Sequence, residues 1–89
     1  MAKNEWRWDN DSRCYVMIVN RGCLSEDSLI TLRLRLDQTQ RWWLIFDQIT
    51  EFEGRFAQTA YFVRSLENED ELNAKKEVDE IMHHYLYSW

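Results

Sequence analysis

Two histidines, two cysteines, a run of carboxylates and a short series of arginines and tryptophans are the side chains here that could do chemistry. His83 and His84 are neighbours, and adjacent residues on a helix point about 100° apart, so one metal ion cannot take both from ideal positions. Glu80 with His84, and Asp79 with His83, share a face at i, i+4. A two-ligand helical pair still needs a third ligand to hold a transition metal, and the chain has no further histidine. The pair reads as a polar flank suited to the negative end of a helix dipole. Cys14 is a nucleophile only if a base lies beside it, and nothing in its spacing to His83 or His84 supplies one. Its place in the apolar run Cys14 to Val19 makes it a small packing residue. Cys23 is the second thiol, and two thiols with no His or Cys at finger spacing do not make a zinc site. Both cysteines are expected reduced and packed. The match of Asn10-Asp11-Ser12 to a glycosylation sequon has meaning only in a secreted chain. With no glycine-rich phosphate loop either, the sequence predicts no catalytic residue, no metal and no cofactor.

The carboxylates are distinctive by position. The formal charge is −5, from 11 Lys and Arg against 16 Asp and Glu. Met1 to Arg64 carries nine basic and nine acidic residues, so that body is neutral. The whole surplus lies between Ser65 and Trp89, where Lys75 and Lys76 face Glu67, Glu69, Asp70, Glu71, Glu77, Asp79 and Glu80. An acidic domain is poorly suited to a phosphate backbone, whose binding relies on cationic neutralisation, so direct nucleic-acid binding is not expected. An acidic face suits a basic protein surface, including one that normally holds DNA or RNA. Its plainer role is that of a solvated helix face.

The second group is Arg33, Arg35, Arg41 and Trp43. Arginine outnumbers lysine eight to one in the neutral body, and arginine beside exposed tryptophan is the composition of protein-interface hot spots. Trp42 and Trp43 are adjacent, so in a strand one ring goes to each face. If Trp42 is core, Trp43 is either a binding residue or covered by Trp6, Trp8 or the segment around Phe56.

The elements that must position these groups follow from periodicity. At 89 residues and 11.0 kDa there is room for one core, so residues 1–89 are read as a single domain. Apolar residues at 45% with five Trp, four Tyr and four Phe exclude intrinsic disorder. No apolar run reaches membrane-span length and Met1 to Glu5 is neither a leader nor a lipidation site, which predicts a cytoplasmic protein off the membrane. Trp6 and Trp8 alternate across Arg7 before the turn cluster Asp9 to Ser12. Arg13 to Val19 is the clearest strand and is expected to end at Asn20-Arg21-Gly22, with Leu24 to Ser28 as a polar connection. Leu32, Leu34 and Leu36 alternate with Arg33 and Arg35, which puts leucines on one face and arginines on the other. Asp37 to Gln40 turns this strand into Arg41 to Asp47, so the core face holds Leu32, Leu34, Leu36, Trp42, Leu44 and Phe46. A helix competes for the last segment, because Trp42, Ile45, Phe46, Ile49 and Phe52 also fall at helical spacing. The strand is preferred, since Leu44 would point away from that helical stripe. Glu53-Gly54 turns into a last strand ending near Val63.

Val78, Ile81, Met82, Tyr85, Leu86 and Trp89 recur at helical spacing, with Leu72 extending the stripe upstream and Asn68 as N-cap. This predicts an amphipathic helix of about five turns. The fold class is therefore α+β: an antiparallel β-meander of four to five strands with one C-terminal amphipathic helix packed on one face. The uncovered face carries Arg33, Arg35, Trp43 and Ile45.

Two functions fit, neither enzymatic. In the first, the protein is a small acidic inhibitor or regulator whose helix acids block a basic partner surface, by analogy of size and charge with phage or mobile-element inhibitors of nucleic-acid-handling host machines such as a defence nuclease complex. In the second, the Arg/Trp sheet face docks a protein, including a second copy as a homodimer. An RNA-stacking module using Tyr15, Trp43 and the arginines is disfavoured by the net charge.

Overall fold

In a computed structural model, residues 5–23 and 26–85 are described. The strands are β1 (Arg7–Asp9), β2 (Cys14–Cys23), β3 (Glu26–Leu36), β4 (Trp42–Phe52) and β5 (Arg55–Ser65), followed by helix α1 (Glu71–Tyr85). They form one antiparallel sheet in chain order, a meander, with the helix at the C-terminal end. This is the expected α+β arrangement.

Local chemistry fixes each turn. Glu53 and Gly54 both have left-handed backbone, φ 52° and 78°, which is how a two-residue hairpin turn matches the twist of its strands. Between β3 and β4, the Asp37 carboxylate accepts hydrogen bonds from Thr39 N (2.8 Å), Thr39 Oγ1 (2.7 Å) and Arg41 N (3.0 Å). It thereby satisfies donors that the loop would otherwise leave unpaired. Asp70 caps the helix, accepting from Asn73 N at 3.1 Å while its carbonyl accepts from Ala74 N at 2.8 Å.

The core lies between the sheet and α1. Met17, Leu32, Phe46 and Phe62 form a row across four strands, with Leu34 and Leu44 paired in the next row. Ala74, Val78 and Met82 of the helix are buried against this surface. The Phe46 ring stacks on Phe62 at 4.8 Å and meets the edge of Tyr85 at 5.0 Å. At the other end of the helix, the Tyr15 hydroxyl donates to Glu71 Oε1 at 2.6 Å. The helix therefore runs obliquely, from β2 at its start to β4 and β5 at its end.

Several boundaries differ from expectation. Trp42 to Phe52 is one long strand with alternating burial over its first half, so the helical alternative is excluded. A helix would have buried Ile45 and Ile49 while turning Leu44 outward, whereas Leu44 is fully buried. Arg21 to Cys23 pair with Glu26 to Ser28, so both inner strands outrun the expected turn at Asn20 to Gly22 and the connection expected at Leu24 to Ser28. Leu36, the last residue of β3 before the turn, is exposed at the end of the strand and does not join the core. The N-cap is Asp70, two residues after Asn68, and Leu72 is exposed with Ala74 taking the inward position. The helix has 15 described residues, about four turns. Leu86 and Trp89, and the Cys23 side chain, lie outside the described residues. No helix among the described residues is long and apolar enough to cross a membrane.

Candidate functional site

Alternation along the strands leaves one complete sheet face without a covering layer among the described residues. Arg7, Val16, Arg33, Ile45 and Val63 form one row across all five strands. Next along the strands come Ile18, Thr31, Asp47 and Tyr61, then Asn20, Leu29, Ile49 and Gln58, and finally Asp27, Glu51 and Phe56. Six apolar side chains on this face, Ile18, Leu29, Ile49, Phe56, Tyr61 and Val63, are 37% to 72% exposed. A monomeric domain rarely leaves a contiguous apolar patch of this kind open.

The expected site residues are brought to this face only in part. Arg33 and Arg35 project here, half-buried and exposed respectively, and Arg33 lies close enough to Asp9 to help hold that carboxyl below its ordinary value, after the larger effect of the Ser12 hydroxyl. Trp43 also faces this side but is half-buried, and its indole N–H donates to Asp37 Oδ2 at 2.7 Å. Four donors now converge on Asp37, led by the Thr39 hydroxyl and the Trp43 indole, and they hold its carboxyl well below the ordinary carboxylate range. Trp43 thus braces its own turn and is not a free anchor. Arg41 sits in that turn, exposed, with its backbone N–H on Asp37. Trp6 and Trp8 do not cover Trp43, because Trp6 packs on the helix-side core and Trp8 meets the Tyr15 ring at 5.0 Å on that same side. Phe56 lies at the opposite end of the sheet.

Sequence reasoning missed Ile18, Leu29, Ile49, Phe56, Tyr61 and Val63. The alternation that placed Leu32 and Leu34 inward also places Leu29 outward. In β5 the signal is broken by an irregularity: Gln48 pairs with Ala60 and Ile49 with Gln58, which leaves Thr59 as an extra residue. Thr59 Oγ1 lies 2.8 Å from Thr50 Oγ1, itself 2.9 Å from Ser28 Oγ, so the buried Thr50 hydroxyl is satisfied across three strands. The bulge is what keeps Phe56 on the same face as Tyr61 and Val63.

Several residues of the acidic segment have internal tasks. Glu71 accepts from the Tyr15 hydroxyl and from Lys75 Nζ (3.3 Å), whose ammonium also lies 4.0 Å from the centre of the Tyr15 ring. The Tyr15 contact chiefly, with Lys75, pulls the Glu71 carboxyl below its usual value, and the same hydrogen bond raises the Tyr15 phenol. Glu77 accepts from Glu67 N (3.0 Å), Asn68 N (3.1 Å) and Asn68 Nδ2 (2.7 Å), and so ties the approach to the helix. Asp70 is the cap. Glu67, Glu69, Asp79 and Glu80 are exposed, and the Glu69 carbonyl accepts the Trp42 indole N–H at 3.0 Å.

For catalytic chemistry, Cys14 is buried with its sulfur 3.0 Å from Ser12 Oγ, at the end of the sheet where α1 begins. His83 and His84 lie in the last turn of that helix, about 18 Å farther along its axis. They are not brought together. No group of three potential metal ligands occurs among the described residues. Comparison with protein-family models, with curated proteins and with solved structures gives no match for this chain.

Proposed function

We propose that the protein is a non-enzymatic, cytoplasmic protein-binding module that works by laying the open face of its sheet against a protein partner. The observation that carries this reading is the apolar row set of Ile18, Leu29, Ile49, Phe56, Tyr61 and Val63, exposed together on one side. Burying such side chains yields about 25 cal/mol for each Å² of apolar surface, and a rim of Arg33, Arg35, Asp27 and Glu51 supplies orientation. Acids and arginines share the face, so it lacks the cationic surplus that a phosphate backbone needs. The test is capture of proteins from a host lysate on immobilised chain, washed at low and high salt. Retention that survives high salt and disappears with Phe56→Ala plus Tyr61→Ser supports the reading. Retention untouched by that double substitution refutes it.

A second reading, the acidic inhibitor that blocks a basic surface of a nucleic-acid-handling machine, draws on Glu67, Glu69 and Glu80, which project from the segment that carries the net charge. It ranks lower because Asp70, Glu71 and Glu77 already serve the cap, the Tyr15 contact and the helix approach. In the same capture experiment this reading requires retention that collapses with salt and with Glu69→Lys plus Glu80→Lys.

A further inference from the structure

The open face is chemically polarised along its strands. Arg33 and Arg35 lie toward the β3–β4 turn, whereas Asp27 and Glu51, paired directly across β3 and β4, lie at the far end of the same two strands. Between them Ile18, Leu29, Ile49 and Tyr61 alternate with Thr31, Asn20, Gln58 and Asp47. Beside Asp27 and Glu51 is a shallow concavity of about 310 Å³ whose apolar lining is Leu29, Ile49 and Phe56. A surface that is basic at one end and acidic at the other brings opposite charges together at both ends when it is reversed on itself.

Resting on the reading that this face is the binding surface, we propose that its occupant is a second copy of this chain, closed face to face about a two-fold axis that lies in the interface and runs across the strands. A dyad in this direction inverts the strands, so each copy's Arg35 meets the other copy's Asp27 and Glu51 at the mouth of the concavity, and Ile45 lies over Ile49. The alternative in-plane dyad, along the strands, sets Asp27 of each copy on Glu51 of the other and Arg35 over Trp43, two like-charge contacts with no arginine opposite them, against the single Asp47 contact of the crossed dyad. Four long strands at about 4.8 Å spacing and 11 residues at about 3.3 Å give a face of roughly 700 Å². That is close to the roughly 800 Å² per partner of a stable interface. The helix and the acidic segment sit on the opposite side of the sheet, so the charge of −5 does not meet itself at the contact. The product is a two-sheet sandwich with helices outside, an isologous contact in which the same surface serves both copies. Asp47, whose carboxylate accepts from Gln58 Nε2 at 2.8 Å, falls near the dyad and meets its own copy there.

Sedimentation equilibrium of the full chain tests this directly, with circular dichroism to verify that each variant is folded. Wild type is expected at twice the 11.0 kDa chain mass. Arg33→Glu with Arg35→Glu, and separately Asp27→Lys with Glu51→Lys, are each expected to weaken self-association about a hundredfold, because each makes both ends of the interface alike in charge. An equimolar mixture of the two variants restores opposite charges at both ends and is expected to return to twice the chain mass. Asp47→Asn is expected to tighten the wild-type dimer. A wild type that stays at chain mass up to about 0.1 mM overturns the second copy as occupant and leaves the binding face to its own capture test. A mixture that fails to reassociate overturns the crossed dyad. A dimer indifferent to both charge swaps and to Phe56→Ala overturns the face itself.

Discussion

Phe46 and Phe56 stand ten residues apart in neighbouring strands with the same side chain, and the structure gives them opposite fates. Phe46 is fully buried, stacked on Phe62 and edge-on to Tyr85, whereas Phe56 is 72% exposed on the open face. Truncating a buried Phe to Ala costs about 3–5 kcal/mol through lost transfer free energy and the cavity left behind. Two ring contacts, each about 0.5–1.5 kcal/mol, place Phe46→Ala at the upper end. An 89-residue chain holds on the order of 4–13 kcal/mol in total, so the substitution removes a third of the stability or more. At roughly 4–8 °C per kcal/mol for a domain of this size, Tm falls by about 20 °C or more. Phe56→Ala is expected within about 0.5 kcal/mol of wild type. Urea unfolding followed by tryptophan fluorescence measures both, at two protein concentrations so that self-association is separated from intrinsic stability. Should Phe46→Ala not fold, Phe46→Leu keeps most of the volume and is expected to cost about 1–2 kcal/mol. A Phe46→Ala cost below about 1 kcal/mol, or equal costs at the two positions, refutes the assignment of faces and with it the open surface.

Two further outcomes follow from the turns. The folded Asp37 carboxyl lies below its unfolded value, so its contribution to stability is present above about pH 4, the unfolded carboxylate value, and is lost as pH falls toward the folded one; Asp37→Asn is expected to lower Tm at pH 7 and to flatten the acid limb of the Tm–pH curve, and an unchanged limb refutes the four-donor site. Gly54 has φ 78° with open space where a Cβ would stand, so Gly54→Ala costs only the left-handed backbone penalty, about 1–2 kcal/mol by thermal melting, and Gly54→Asn less; a neutral Gly54→Ala refutes the turn.

Leu32, Leu34, Trp42, Leu44 and Phe46 were legible as the core face because a strand has a side-chain period of two, and that arithmetic needs no partner to be known. The helix was legible for the same reason at its own period, and the charge surplus after Ser65 needed only counting. These are properties of neighbours in the chain. Whether Trp42 to Phe52 was strand or helix depended on which pattern the rest of the sheet would support, and β3 and β5 on either side decided it. The same holds for Trp43, whose composition suggested a free hot spot until the fold returned Asp37 to its indole. It holds for Asp70, Glu71 and Glu77 too, acids that look alike in sequence and acquire separate tasks from Asn73, Tyr15 and Asn68. The open face is the largest such case. Its exposed apolar residues come from four strands and are offset in β5 by one bulge, so no local window contains them together. Which side chains alternate and where charge accumulates both follow from covalent order alone. Which apolar side chains stay together on the side that the helix leaves open is a tertiary outcome, because one helix buries one face and the β5 bulge sets which residues remain on the other.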